Sequence, residues 1–403
     1  MLLTKRTHYH TAQSALYCGV LLSFLCPLES VGADLEPEVS GQINIENRYF
    51  FMDGDDDQRN NDPSIVLAPQ FDWALNDADI TFIPFYRYDN MDNERSHFDI
   101  RELKFLTYQG DYEVRIGINK VFWGVTESEH LVDVINQTDY IEAIDGEDKL
   151  GQPMVQFTAI KSWGTAEAYL LPYFRERTFS GRDGRLRTQL PINTDQPIYE
   201  SNQKQKHLDF AFRYSNTLSN WDIGMSYFQG TDRTPYIIYQ SGQLLPYYAQ
   251  MKSFGLDVQG ATGNWLWKLE AIHKDSYQQY TATASGFEYT WVGAFNTGWD
   301  LGLLSEYLYD SRGDESQDYG QNDIFTGLRI SFNDLDSSTL LIGMTHDLDN
   351  TDVRLYKIEA SKRLTNHLNL SIDAWAEENN TQTDPLYSMR NDDYLEVALE
   401  YYF

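Results

Sequence analysis

The sequence predicts an all-β fold: a transmembrane antiparallel β-barrel of about eighteen strands, with short turns at one end and long loops at the other. Three observations predict it. Apolar and polar residues alternate with period two in segment after segment. Short and long connections take turns along the chain. The last segment, Leu395-Glu396-Val397-Ala398-Leu399-Glu400-Tyr401-Tyr402-Phe403, alternates up to a terminal aromatic.

Residues 1–33 read as a secretory signal. Lys5 and Arg6 give a basic start, Ala15 to Cys26 is apolar, and Val31-Gly32-Ala33 suits cleavage. The apolar run is shorter than the ~20 residues a membrane-spanning helix needs. Residues 34–403 are then read as one barrel without a separate domain. Cys18 and Cys26 both lie in the signal, so the remaining chain offers no disulfide, thiolate metal site or cysteine nucleophile.

The clearest alternating segments run as follows. In 41–51 Ile43, Ile45, Tyr49 and Phe51 oppose Gln42, Asn44, Glu46 and Arg48. In 65–75 the apolar set is Ile65, Leu67, Phe71, Trp73 and Leu75. In 111–121 Tyr112, Val114, Ile116 and Ile118 oppose Glu113, Arg115 and Asn119. In 207–215 Leu208, Phe210, Phe212 and Tyr214 oppose His207, Asp209 and Arg213. Similar sets follow around Trp221–Tyr227, Phe254–Val258, Trp299–Leu303 and Ile324–Phe332. Successive strand side chains point to opposite faces, so each segment has one greasy and one polar face. Aromatic residues gather at segment ends (Tyr49, Phe50, Phe51, Trp73, Tyr86, Tyr88, Trp265, Trp267, Trp299), as at a membrane–water boundary.

Tight turns fall at 76–77, 109–111, 162–164, 216–220, 262–264, 296–298, 333–337 and 365–366. Longer connections fall at 52–64, 89–97, 123–152, 175–206, 229–247, 275–284, 310–321, 347–352 and 379–391. Barrels of this kind have short periplasmic turns and longer external loops, which puts both termini in the periplasm. The least regular segments, near 80–106 and 240–280, leave sixteen strands as the alternative.

A net charge of −30 argues against nucleic acid as a partner. Charged residues inside strands cost ~2–4 kcal/mol each if they face hydrocarbon near the midplane, so they are expected to face a watery lumen. The expected pore-lining set is Arg48, Glu46, Arg87, Arg101, Glu113, Arg115, Asn119, Asp209, Arg213, Arg329 and Arg354, with Asp72 and Glu306. The 123–152 connection mixes acids with Leu131, Val132, Val134, Ile135, Tyr140, Ile141 and Ile144. Folded inward, it would hold Asp133, Asn136 and Asp139 in the pore; folded outward, it would cap the barrel as a helix or hairpin. The next loop carries Arg175, Arg177, Arg182, Arg185 and Arg187, suited to an anionic ligand, lipopolysaccharide phosphates or neighbouring acidic loops.

No His-Glu-x-x-His, Gly-x-Ser-x-Gly or phosphate-cradling glycine loop occurs, so no enzyme activity, cofactor or metal site is expected. Asp53, Asp55 and Asp57 have calcium-loop spacing, but Gln58 and Ser64 stand where an EF-hand needs Gly and Glu. A solvated acidic loop is the simpler reading, with a loosely held cation as the other.

The C-terminal segment resembles the signal read by the barrel-assembly machinery of Gram-negative bacteria. Arg115-Ile116-Gly117-Ile118-Asn119 running into Trp123-Gly124, then Ile135-Asn136-Gln137-Thr138-Asp139 and Gly151-Gln152-Pro153, resembles a largely uncharacterised porin-like family of outer-membrane barrels. Asn119 stands where Gln is usual and Gln137 where Pro is usual; the motif match covers roughly 100–175. The resemblance implies an outer-membrane barrel with 123–152 as a long loop, acting as a channel for passive diffusion of small hydrophilic solutes. Outer-membrane lipid, lipopolysaccharide and the assembly machinery are the implied partners. The alternatives are a selective transporter for a polysaccharide or aromatic compound and a non-conducting structural or adhesin barrel. A homo-oligomer stays open, because no segment announces a subunit interface.

Overall fold

The computed structural model describes residues 36–403 except 57, 317–319, 380, 383 and 385. The expected signal over 1–33 and Asp57 of the acidic loop lie outside the described residues. The strands are β1 (Glu38–Phe50), β2 (Asn61–Ala74), β3 (Ala78–Asp89), β4 (His97–Gln109), β5 (Tyr112–Asn119), β6 (Gln152–Lys161) and β7 (Gly164–Leu171). They continue with β8 (Ile198–Tyr199), β9 (Asp209–Leu218), β10 (Trp221–Thr231), β11 (Tyr236–Gln240), β12 (Gln243–Tyr248), β13 (Gln250–Thr262) and β14 (Trp265–Asp275). The last are β15 (Gln279–Trp291), β16 (Asp300–Asp310), β17 (Asn322–Ser331), β18 (Thr339–Asp347), β19 (Arg354–Thr365), β20 (Leu368–Glu378) and β21 (Tyr394–Tyr402).

Eighteen of these form one antiparallel sheet in which each strand pairs with the next along the chain and β21 pairs with β1. The sheet is therefore a closed barrel with no free edge, the arrangement that satisfies every strand's backbone groups in lipid. At the seam the Gly41 N–H donates to the Phe403 carbonyl and the Phe403 N–H to the Gly41 carbonyl, both at 3.1 Å. β8, β11 and β12 make a separate small sheet on the long-loop side.

Period two sorts the two faces. On β1 Ile45 and Tyr49 are exposed while Glu46, Arg48 and Phe50 are buried. Phe157, Phe212, Phe254, Leu303 and Val397 point outward in the same way. Trp163 stacks on Tyr214 and Trp265 on Trp267 near the short turns, whereas Tyr86, Tyr88 and Phe98 stand exposed near the long loops. Phe50 departs from the expected boundary set: it is 1% exposed and packs inward on Tyr394.

Two irregular regions resolve differently from the sequence reading. The connection expected over 275–284 shrinks to 276–278, because β14 and β15 pair out to Asp275 and Gln279. The 229–247 connection is not all loop: β10 runs to Thr231, and Tyr236–Gln240 and Gln243–Tyr248 form a hairpin. Its turn, Ser241-Gly242, has positive φ at both residues, the geometry that matches strand twist in a two-residue hairpin. Near 80–106 the pattern is broken by a bulge between Ile83 and Pro84. Pro84 has no N–H for the ladder, so the register skips Arg101 and turns its side chain inward.

Candidate functional site

The β5–β6 loop, residues 120–151, folds into the barrel. Val132 and Ile135 are fully buried against Met154, Tyr169, Leu171, Ala211, Phe228 and Met251, with Trp123 beside them. Those wall residues belong to the inward phase of β6, β7, β9, β10 and β13. The apolar residues mixed into this acidic loop thus bury against a greasy patch of the inner wall, and their burial supplies the driving force for docking.

Polar contacts then carry the loop round the lumen. Glu270 on β14 accepts the N–H groups of Val125 (2.6 Å), Thr126 (3.0 Å) and Val132 (3.2 Å) and the Thr126 hydroxyl (2.7 Å). Glu306 on β16 accepts the N–H groups of Glu127 and Ser128, each at 2.9 Å. Arg329 on β17 reaches Glu127 at 2.6 Å. On the opposite wall Arg87 holds Glu142 at 2.6 Å and also binds Glu46; Arg48 donates to the Glu142 carbonyl at 3.2 Å. Arg101 reaches Asp139 at 2.6 Å and covers the Phe85 ring at 4.0 Å. Arg95 donates to the Ile141 carbonyl at 2.8 Å, and Lys357 on β19 reaches Asp145 at 3.3 Å.

The residues expected in the pore therefore meet different fates. Asp133, Asn136 and Asp139 are buried within the docked loop. Asn136 clips the loop's ends together, accepting from the Val121 N–H and donating to the Asn119 and Leu150 carbonyls, all at 2.9 Å. Asp133 lies 3.3 Å from Lys149, and burial raises its pKa. Asp139 also accepts from Thr178 at 2.6 Å. Glu46, Arg48, Arg87, Arg101, Asn119 and Arg329 touch the loop or the side chains that hold it. Asp209 pairs with Arg233 at 2.7 Å, and Arg233 donates to the Ile135 carbonyl at 3.0 Å. Arg213 pairs with Asp257 at 2.7 Å beside Trp123, and Arg115 with Glu113 at 3.2 Å. Arg354 does not share the inward phase. It opposes and pairs with Glu378 at 2.7 Å on the face that carries Ile358, at the long-loop end of the wall where water is near.

The Arg-rich loop is drawn into the barrel mouth. Arg185 is 3% exposed; it pairs with Asp392 at 2.6 Å, donates to the Met52 and Asn391 carbonyls, and covers Phe50 at 4.5 Å. Arg175 pairs with Asp99 at 2.8 Å, Arg177 donates to Gln137 at 3.2 Å and Arg187 pairs with Asp56 at 2.7 Å; Arg182 is exposed. In the acidic loop Asp53 accepts from Asn60 and Asp55 pairs with Arg390, so neighbouring loops supply partners there. His97, Asp139 and Glu142 come within 4.8 Å of one another, but Arg101 and Arg87 already neutralise those carboxylates.

His130, on the loop, shows one consequence of this packing. Its ring meets Phe122 edge-on, its Nε2 lies 2.8 Å from Glu147 and its Nδ1 4.0 Å from Glu270. Burial disfavours its charge, but the two carboxylates win and push its pKa up to about 10. Glu270, Lys357, Asp145 and Arg233 were not singled out from the sequence. For Glu270 a signal exists: Lys268, Glu270 and Lys274 recur with period two on β14.

Space remains on both sides of the loop. A cavity of about 240 Å³ opens toward the long loops, lined by Arg233, Lys274, Arg312 and the loop itself. One of about 300 Å³ opens toward the short turns, between β1–β3 and β19–β21. Ile144, Asp145, Lys357 and Trp375 line both.

No protein-family model and no curated protein matches the sequence. Solved structures do. A BenF-like porin from Pseudomonas fluorescens Pf-5 aligns over 92% of this chain and 98% of its own, at 10% identity and a TM-score of 0.53. Pseudomonas aeruginosa OccK9 (OpdG) aligns over 91% and 97%, at 11% identity and 0.53. The Escherichia coli outer-membrane protein Wzi, described as a carbohydrate-binding β-barrel involved in capsule assembly, aligns over 91% and 84%, at 10% identity and 0.53. What this chain shares with them is the fold, a closed antiparallel barrel of the outer-membrane kind.

Proposed function

We propose that the chain, after loss of residues 1–33, is a porin-like channel in the outer membrane of a Gram-negative bacterium. Small hydrophilic solutes diffuse through it passively, and the 120–151 loop is its constriction. The observation that carries this reading is the pair of cavities flanking the docked loop and touching at Ile144, Asp145, Lys357 and Trp375. The short-turn side is lined by Glu46, Glu142, Asp145, Asp148, Glu359, Asp373 and Glu396 against only Arg48, Arg87 and Lys357. Such a wall favours cationic or neutral solutes there. Lumen-facing Glu46, Arg48, Arg87, Arg101, Glu113, Arg115, Asp209, Arg213 and Arg329 set the local field along the route. The outward aromatic boundaries contact lipid and lipopolysaccharide, and the β21 ending engages the assembly machinery.

Planar-bilayer recording of the refolded protein tests the reading. A steady single-channel conductance is expected, and deletion of 128–148 should raise it. No conductance in the intact chain defeats the channel; a conductance unmoved by the deletion defeats the constriction.

A further inference from the structure

The short turn between β15 and β16 differs from the other short turns in its chemistry. Val292-Gly293-Ala294-Phe295-Asn296-Thr297-Gly298-Trp299 holds no charged residue, in a chain with 61 acidic residues and 31 Lys or Arg. Val292 and Phe295 are each 66% exposed. By contrast the tips Asn76-Asp77, Gly110-Asp111, Ser219-Asn220 and Asn366-His367 are polar, and exposed Leu335 stands between Asp334 and Asp336.

The backbone of this turn holds Phe295 out at a cost. Phe295 has φ +56° and Asn296 φ +60°, both in the left-handed region. A bulky residue is an outlier there and persists only where its surroundings fix it. The Ala294 N–H donates to the Trp299 carbonyl at 2.8 Å, and the Ala294 carbonyl accepts the Thr297 N–H at 3.0 Å and hydroxyl at 2.7 Å. The Gly293 N–H donates to Asp300 at 2.9 Å, the Asn296 N–H to the Gly293 carbonyl at 3.2 Å and the Trp299 N–H to the Thr297 hydroxyl at 3.1 Å. Asn333 donates to the Gly298 carbonyl at 2.9 Å. A backbone satisfied in this way tolerates surroundings poor in water.

The Phe295 ring meets the outward-facing Trp291 at 4.9 Å between centroids. Trp291 follows Phe287 and Tyr289 in the outward phase of β15, and their rings meet Trp265 at 5.1 and 4.7 Å. Phe295 thus carries one aromatic surface of the wall past the end of the strand ladder. We propose that this turn is a lipid anchor: Phe295 enters the headgroup–acyl boundary of the inner leaflet, with uncharged Asn296 and Thr297 among the headgroups. A phospholipid layer fits because the turn continues the lipid-facing wall without a break and brings no charge to it; aromatic rings favour that boundary. The proposal rests on the outer-membrane reading for the layer it enters, and not on the channel.

Residues 34–403 contain no cysteine, so single ones can carry an environment-sensitive fluorophore. The test uses the refolded chain in phosphatidylcholine vesicles, with doxyl-labelled phosphatidylcholine as the lipid quencher and iodide as the aqueous one. Gly298→Cys marks the turn, since a Cβ there meets nothing within 4 Å. Leu303→Cys marks the outward wall and Asn220→Cys a polar tip. The label at 298 should show at least about half the lipid quenching of the label at 303, while the label at 220 answers to iodide. In the Gly298→Cys background, Phe295→Asp should lower lipid quenching about twofold or more and admit iodide. Phe295→Gly, which suits the left-handed backbone, should act in the same direction and covers a failure of Phe295→Asp to refold. A label at 298 as open to iodide as that at 220 overturns the anchor. So does one shielded from both quenchers, which means that a second copy covers the turn, or one unmoved by the Phe295 variants. A label at 303 that lipid does not quench defeats the membrane reading itself.

Discussion

Lys357 on β19 extends its ammonium to 3.3 Å from the Asp145 carboxylate on the docked loop, and this pair stands where the two lumen cavities meet. It closes the circuit of contacts that begins with Glu270 on the opposite side of the barrel. Both partners keep about a third of their side-chain surface, 32% and 29%, so the pair is only partly dehydrated and can be broken by a passing ion.

Lys357→Ala is therefore expected to raise single-channel conductance and shift selectivity toward cations, since it removes the cation where the two cavities meet and leaves Asp145, Glu359 and Asp373. Asp145→Asn should shift selectivity the other way. Reversal potentials in a salt gradient measure both; shifts of the same sign would show that the pair does not sit in the ion path.

Glu270 satisfies three backbone N–H groups and one hydroxyl of the loop. In Glu270→Ala these donors lose their acceptor, at about 1–3 kcal/mol for each that stays buried. The segment around 125–132 should then detach from the wall. Current noise should rise and limited proteolysis should cut the loop, while the wall, held by its ladder, persists. A quiet channel and an uncut loop would refute the anchor.

The His130 pKa of about 10 lies above its ordinary 6.5, so the charged ring stabilises the docked loop. That contribution is complete below about pH 6.5 and disappears as pH rises through about 10. Conductance fluctuations should therefore grow between pH 9 and 11 by an amount that His130→Gln removes. Identical alkaline behaviour in both proteins would dissociate His130 from docking.

Gly41 lies at the seam with φ +151°, and a Cβ there would stand 2.6 Å from the Pro69 Cα and 2.8 Å from the Ala68 carbonyl. Gly41→Val should destabilise barrel closure by about 1–3 kcal/mol. Thermal unfolding in detergent, followed by circular dichroism, should show a lower midpoint than for Gly298→Val, whose Cβ meets nothing within 4 Å and whose backbone is not left-handed. Equal midpoints would mean the seam tolerates the crowding.

Much of the wall was legible in the sequence because a strand's two faces are written as period two. Gln42, Ile43, Asn44, Ile45, Glu46 and Arg48 carry their orientation in their order, and the terminal Tyr401-Tyr402-Phe403 implied a partner strand. Arg101, expected in the lumen, takes its inward phase from the bulge opposite Ile83 and Pro84. The reading failed where a strand charge sits out of phase. Arg354 carries a charge in a strand, but its phase follows Ile358 rather than Lys357, and only its position near the loops makes that tolerable.

The amino-acid order by itself determined a barrel wall of about eighteen strands, with sixteen as the alternative, its greasy and polar faces and the alternation of turns and loops, because these depend on local periodicity and turn chemistry. Tertiary structure decided where the 120–151 loop lies and that Glu270 and Lys357 hold it. Those contacts join residues far apart in the chain, and their pairing is fixed only when the barrel closes and gives the loop an inner wall to bury against.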